Sequence, residues 1–363
     1  MPEQPIADKF KISPFLVLYM IMSMQIGIGV LGYQRIIVAE AKNDAWISVL
    51  VAGFALQFIL WMIYKINETV NGDIVTAHIY VAGNFVGKLL SSIFIIYYFI
   101  LSLTVQRSYL EVIQVWMFPK MSIFWYTLAY MILCIYIIYG GFRTVVGIAF
   151  FGLVLPSYLF PIFGFSLSLG EVNHLLPIFE QSIKDILLGA YKMSLTFIGF
   201  EVVLFFYPFI KEPKKSKKWA HLGLLLTTLI YTCIMIITIT YFSMDLLAKS
   251  IWASLSMWKI VNFPFVERFE YIGIATWSLV ILPNICIALW ISSRLMKRIF
   301  NLQQKKGVIF IAMATLFAIN FFPTRVEVNL LNNLTAKAGF VFTFIYIPLL
   351  FIAVMIAKKV KKT

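Results

Sequence analysis

Charge is scarce in this chain. Asp, Glu, Lys and Arg make up 13% of 363 residues while 61% are hydrophobic, about half the charged share of a soluble domain. An aqueous globule could not hide that much apolar surface. Histidine is scarcer still: His78, His174 and His221 lie far apart, and no paired carboxylates accompany them. Hydrolytic and metal chemistry therefore have nothing to build on, and neither an enzyme nor a cofactor is expected. Cys134, Cys233 and Cys286 are widely separated, each inside an apolar run. They lack the spacing of a disulfide framework or metal site and read as buried packing residues. Alternating ten-residue strands are missing too, which excludes a membrane barrel.

What the chain does have is long apolar runs, several reaching the ~20 residues that carry an α-helix across hydrocarbon. Breaks at charged or turn-forming residues divide them into spans near 12–38, 44–64, 89–113, 121–139, 142–168, 185–210, 219–241, 270–293, 307–322 and 338–357. The expected fold class is an all-α integral membrane protein of about ten transmembrane helices, a single domain over 1–363. The first apolar stretch exceeds a signal-peptide core and lacks a small-residue cleavage site, so it is expected to remain as a span. A formal net charge of +14 would suggest nucleic acid in a soluble protein. Here the cations flank spans, at Lys211 to Lys218, at Arg294, Lys297 and Arg298, and at Lys358, Lys359, Lys361 and Lys362. That is the positive-inside pattern, and it places both termini in the cytoplasm with the lipid bilayer, not nucleic acid, as the surrounding partner.

Two connecting segments are expected to form short helices. After Asp245, Leu247, Ile251, Leu255 and Trp258 recur at helical spacing, as in a helix lying in the membrane interface. Asp73 is a good N-cap for a helix through Tyr80 that stops at Gly83–Asn84.

An internal correspondence carries the functional reading. Gly27, Gly29 and Gly32 interrupt the first span; Gly199, beside Glu201, interrupts the sixth. At 1.5 Å per residue both interruptions fall near mid-membrane. Five spans separate them, as in an inverted repeat of five plus five helices, about 12–168 and 185–357, whose broken helices 1 and 6 face each other at a central site. Gly27 to Gly32 also matches G-x-G-x-x-G, but the dinucleotide fingerprint needs a preceding strand, and here the glycines lie within one membrane-length run. Close helix packing would account for Gly32. Two glycines one residue apart favour an unwound segment at Gly27 and Gly29, with amides free for an anionic group.

Glu201 lies roughly 24 Å along its span, a depth at which a carboxylate must be paired, hydrated or protonated. It either contacts ligand directly or ties an unwound backbone to a neighbouring helix. Tyr97 and Tyr98 fall near mid-membrane, where a hydroxyl needs a partner. Pro283 frees a carbonyl that Asn284 is placed to satisfy. The expected substrate-binding set is Gly27, Gly29, Tyr97, Tyr98, Gly199, Phe200, Glu201 and Asn284. Lys192 is within snorkelling reach of its helix end, and Arg107 with Glu111, four residues on, reads as a helical ion pair.

In order along the chain, Lys11-Ile12-Ser13-Pro14, the glycines through Gly32, Asp44-Ala45-Trp46-Ile47-Ser48, Arg107 and Glu111 before Phe118-Pro119, Phe197-Ile198-Gly199-Phe200-Glu201 with Pro208, and Pro264 to Glu270 with Trp277 resemble the B subunit of bacterial spore germinant receptors. That family is a branch of the amino acid, polyamine and organocation transporter superfamily. The resemblance implies a ten-helix fold whose centre recognises a small germinant, usually an amino acid, in the inner spore membrane, acting with an A subunit and a lipoprotein C subunit. Two departures stand out. The fifth span carries only Arg143, at its edge, where related proton-coupled transporters place a lysine. Pro119-Lys120-Met121-Ser122 replaces the usual Thr-Pro after the third span. A secondary amino acid transporter is the alternative, since both functions need the same midplane site.

Overall fold

The computed structural model describes residues 6–261, 264 and 267–361; Phe265 and Val266 of the stretch from Pro264 to Glu270, and Lys362 of the basic tail, lie outside them. The described chain is almost wholly helical, with one parallel bridge between Ile12 and Ile210. The principal helices are α1 (Leu16–Gln25), α2 (Tyr33–Ala41), α3 (Ala45–Val70), α4 (Ile74–Trp116), α5 (Ile123–Tyr139), α6 (Phe142–Val154), α7 (Ile183–Lys192), α8 (Pro213–Tyr241), α9 (Phe269–Phe300), α10 (Gln304–Ala318), α11 (Arg325–Phe340) and α12 (Ile347–Val360). Among the described residues, six helical stretches are long and apolar enough to cross a membrane: Tyr33–Val70, Ile74–Trp116, Phe142–Leu169, Pro213–Tyr241, Phe269–Phe300 and Arg325–Val360.

Apolar side chains cover the molecule outside as well as inside. Phe54, Phe58, Leu349 and Ile352 are all more than half exposed, as lipid-facing residues must be when no water drives them inward. The interior is organised around α9, which packs along α4, α6 and α10 and also meets α1. Pro283 in α9 cannot donate to the Leu279 carbonyl one turn back. A Cβ at Gly152 in α6 would overlap that same carbonyl oxygen, so the glycine lets α6 lie directly on the kinked turn. The freed carbonyl is therefore covered by Gly152. Asn284 does not satisfy it as expected; its amide donates instead to Val280 O at 2.8 Å and across to Ser23 O at 2.9 Å.

Asp73 caps α4 through Thr76 N at 3.0 Å, and Gly83, at φ 78°, bends the helix where a stop was expected. Asp73 also receives Arg298 from the end of α9 at 2.9 Å. On this same face the backbone of Ile12 bonds the chain beyond Phe209: Ile12 N donates to Phe209 O at 2.8 Å and Lys211 N to Ile12 O at 3.0 Å. The lower ends of the two interrupted helices are thus tied by backbone, independent of side-chain identity.

Four expectations are corrected. The segment after Asp245 is two short helices, Met244–Lys249 and Ala253–Trp258, with Leu247, Leu255 and Trp258 fully buried. It is folded into the protein rather than laid along the interface, because it plugs the space beside the first break. Arg107 and Glu111 do not pair: Arg107 donates to the carbonyls of Phe322 and Pro323, at 2.6 and 2.8 Å, and Glu111 binds Arg325 at 2.7 Å. Arg107 thus joins α4 to the turn before α11, and Glu111 joins it to the first residue of α11. Cys233 is exposed, whereas Cys134 and Cys286 are buried. The stretch expected to begin at 338 starts at Arg325, since α11 runs through a single turn of π-helix, Val341–Tyr346, into α12.

Candidate functional site

The first interruption separates α1 from α2. Gly27 adopts φ −143° and ψ −140°, a tight turn at Ile28–Leu31 follows, and helix resumes after Gly32. Unwinding releases carbonyls that the helix would have used, and buried carbonyls require donors. They come from distant elements: Tyr231 of α8 to Gln25 O at 2.8 Å, Trp277 of α9 to Gly27 O at 3.2 Å, and Ser254 to Val30 O at 2.7 Å. Gln34 in turn donates to Ser254 Oγ at 2.7 Å. The N–H groups of Gly27 and Gly29 have no partner among the described residues. Both glycines line a small cavity of about 40 Å³ bordered also by Gln25, Thr104, Thr196 and Asn284, room for about three waters.

The second interruption is braced differently. Gly199 sits at φ 122°, a conformation open to glycine, and a Cβ there would lie 2.7 Å from Met24 Cβ on α1. Glu201, fully buried, turns back two residues and accepts the Gly199 N–H at 2.7 Å through Oε2. Gln25 of the first break donates to Phe197 O at 3.1 Å. The two breaks are therefore in direct contact, through Gln25 and through the approach of Gly199 to Met24. The Tyr98 hydroxyl is buried without a hydrogen bond among the described residues, and the buried Tyr97 hydroxyl lies beside the Glu201 carboxylate.

The structure brings Gly27, Gly29 and Asn284 together around the small cavity. Gly199, Glu201, Tyr97 and Tyr98 form a neighbouring polar cluster that reaches it through Met24 and Ile198. Phe200 lies apart, in a narrow cleft with Ala52, Leu56 and Gly339. Gly32 abuts the Ile251 carbonyl and Trp252, a close approach of helix and plug. Ile28, Gly29 and Thr196 also line a neighbouring, larger cavity of about 400 Å³, which Arg325 lines as well. Lys192 lines it and pairs with Glu40 at 3.8 Å.

Sequence reasoning missed Gln25, Thr196, Tyr231 and Ser254, and quoted Trp277 only as part of a resemblance. None of the four differs in sequence from an ordinary polar residue of a membrane helix, except that Gln25 stands two residues before Gly27 in an otherwise apolar run.

Two discontinuous helices crossing at their breaks, within an almost wholly helical membrane protein, define a transporter-type fold. The solved structure of MhsT in complex with L-phenylalanine has the same fold, with a TM-score of 0.65 at 14% identity, covering 94% of this chain and 87% of that one. The family model for spore germination proteins matches residues 11–329, and the chain belongs to that family. It is 42% identical over 345 residues to spore germination protein GerQB of Bacillus cereus, covering 95% of this chain and 96% of the relative. Spore germination protein A2 of Bacillus subtilis (strain 168) is 21% identical, covering 93% of each. The chain is a multi-pass membrane protein of a germination family rather than of an enzyme class.

Proposed function

We propose that this chain is the B subunit of a spore germinant receptor, binding a small germinant, an amino acid, where its two broken helices meet. The observation that carries this reading is that Gly27 and Gly29, whose N–H groups have no partner among the described residues, line a cavity to which Ile198 beside the second break also contributes. Backbone amides at such a position suit a carboxylate. The L-phenylalanine bound by MhsT supports the amino acid class, and the germination relatives support the receptor role. In this reading the halves 12–168 and 185–357 are inverted repeats, both termini are cytoplasmic, and the protein sits in the inner spore membrane with A and C subunits. The small cavity must widen to admit ligand, and that widening is the signal passed to the partners.

Secondary transport of an amino acid is the second reading, favoured by the fold itself. Deletion of the gene, followed by germination against a panel of amino acids, sugars and nucleosides, separates the outcomes. Loss of response to one amino acid, with its uptake into vesicles unchanged, is expected. Unchanged germination to every compound would overturn the receptor reading.

A further inference from the structure

The 400 Å³ cavity has a composition the proposed germinant site does not explain. Arg35, Lys192, Arg325 and Lys337 line it, and among the described residues no Asp or Glu does. Lys192 is neutralised by Glu40 at 3.8 Å and Arg325 by Glu111 at 2.7 Å. Arg35 and Lys337 have no acidic partner among the described residues. Walls of low dielectric focus such a field and raise the local concentration of anions.

The wall opposite Gly29 is built for hydrogen bonding. Asn329, Asn332, Asn333 and Ala336 of α11 all line the cavity, and their spacing of three, four and seven residues makes them one helical stripe. Three asparagines on one face of a membrane helix are expensive against lipid and at home against a wet cavity. Ser108 donates to Asn332 Oδ1 at 2.9 Å, which fixes that amide's orientation and leaves its NH₂ for another acceptor. Lys337 is exposed, and it stands twelve residues from Arg325, about 18 Å along α11, two residues before Gly339, which packs against Ile198 and near the Tyr97 hydroxyl. An exposed ammonium that lines a cavity within a membrane-length helix is held there by water or an anion.

We infer that this cavity is an anion-binding vestibule, taking a small organic anion whose carboxylate or phosphate lies between Arg35 and Lys337 while the α11 asparagines contact its polar groups. Arg35 offers the planar donor fork that matches either oxyanion, and Lys337 a point charge. The inference is independent of which germinant occupies the inner cavity. The oxyanion could belong to a soluble molecule or to a lipid headgroup.

The test uses the full chain with its three cysteines replaced by alanine and Asn333→Cys introduced, reconstituted in discs of zwitterionic lipid. Rates of modification are measured with an anionic and a cationic thiosulfonate reagent. The anionic reagent should react roughly ten-fold faster than the cationic one, and Arg35→Gln with Lys337→Gln should erase the preference. Millimolar inorganic phosphate or succinate should slow labelling only in the protein that keeps both cations. Slowing in phosphatidylglycerol discs without added anion would assign the oxyanion to a headgroup; slowing by soluble anion alone would assign it to a free ligand. Ala336→Cys provides the same readout should Asn333→Cys not fold. Equal rates for the two reagents, unaffected by neutralising Arg35 and Lys337, would overturn the inference.

Discussion

The two interruptions solve the same problem by opposite means. At Gly27–Gly32 the freed carbonyls are taken up by Tyr231, Trp277 and Ser254 from three other parts of the chain. At Gly199 the brace is local, a carboxylate two residues away holding the glycine N–H. The first break is thus a junction whose shape depends on its neighbours, and its glycines line a cavity. The second is a self-braced turn, closely packed on Met24. A ligand contacting the first break can therefore change the relation between α8, α9 and the plug at Ala253–Trp258, while the second supplies a fixed wall.

The largest expected effect comes from destroying the fixed wall. Gly199→Val combines a left-handed backbone with overlap at Met24, each costing about 1–3 kcal/mol. Immunoblots of membranes should show the protein nearly absent; wild-type abundance would mean that the turn is not fixed. Replacing Glu201 tests the brace itself. Glu201→Ala leaves Gly199 N–H buried and unpaired at a cost of about 1–3 kcal/mol, while Glu201→Gln keeps an acceptor. Germination response should fall further for alanine than for glutamine, and equal impairment would point to charge rather than bracing.

Smaller effects should follow at the first break, where several donors share the work. Trp277→Phe removes the bond to Gly27 O, a change of about 1 kcal/mol, along with part of the ring packed on Trp258. Thermal unfolding of the purified protein should shift by only a few degrees, about 2–4 °C, while the response to germinant weakens measurably. Ser254→Ala, which unties Val30 O and Gln34 together, should behave similarly. A loss of protein as complete as for Gly199→Val would erase the contrast between the two breaks.

The breaks and most helices were legible because glycine and apolar length are local signals. Gly27 and Gly199 occupy non-helical backbone and Gly29 the tight turn between, the cap at Asp73 falls where its residue type placed it, and Gly83 bends the helix where a stop was expected. What was not legible depends on long-range pairing. Arg107 and Glu111, four apart, resemble an ion pair on one helix, yet Arg107 bonds carbonyls of the turn before α11 and Glu111 pairs with Arg325 at the start of α11. The segment around Trp258 has interfacial spacing, but a fully buried Trp needs a hole that only the tertiary fold provides. The start of α11 escaped notice because Asn329, Asn332 and Asn333 depress local hydropathy; they face a cavity, not lipid.

The central claim is that Gly29 stands at the ligand-sensing centre. A Cβ there would come within 3.0 Å of the Thr196 side chain and 3.1 Å of its Cα, narrowing the cavity between the breaks without touching the Glu201 brace. The measurement is a germination dose-response curve for spores carrying Gly29→Ala, beside an immunoblot of their membranes. The account predicts a half-response concentration roughly ten-fold higher, about 1.4 kcal/mol of lost binding, at unchanged abundance. A curve superimposed on wild type, at normal protein level, would contradict it.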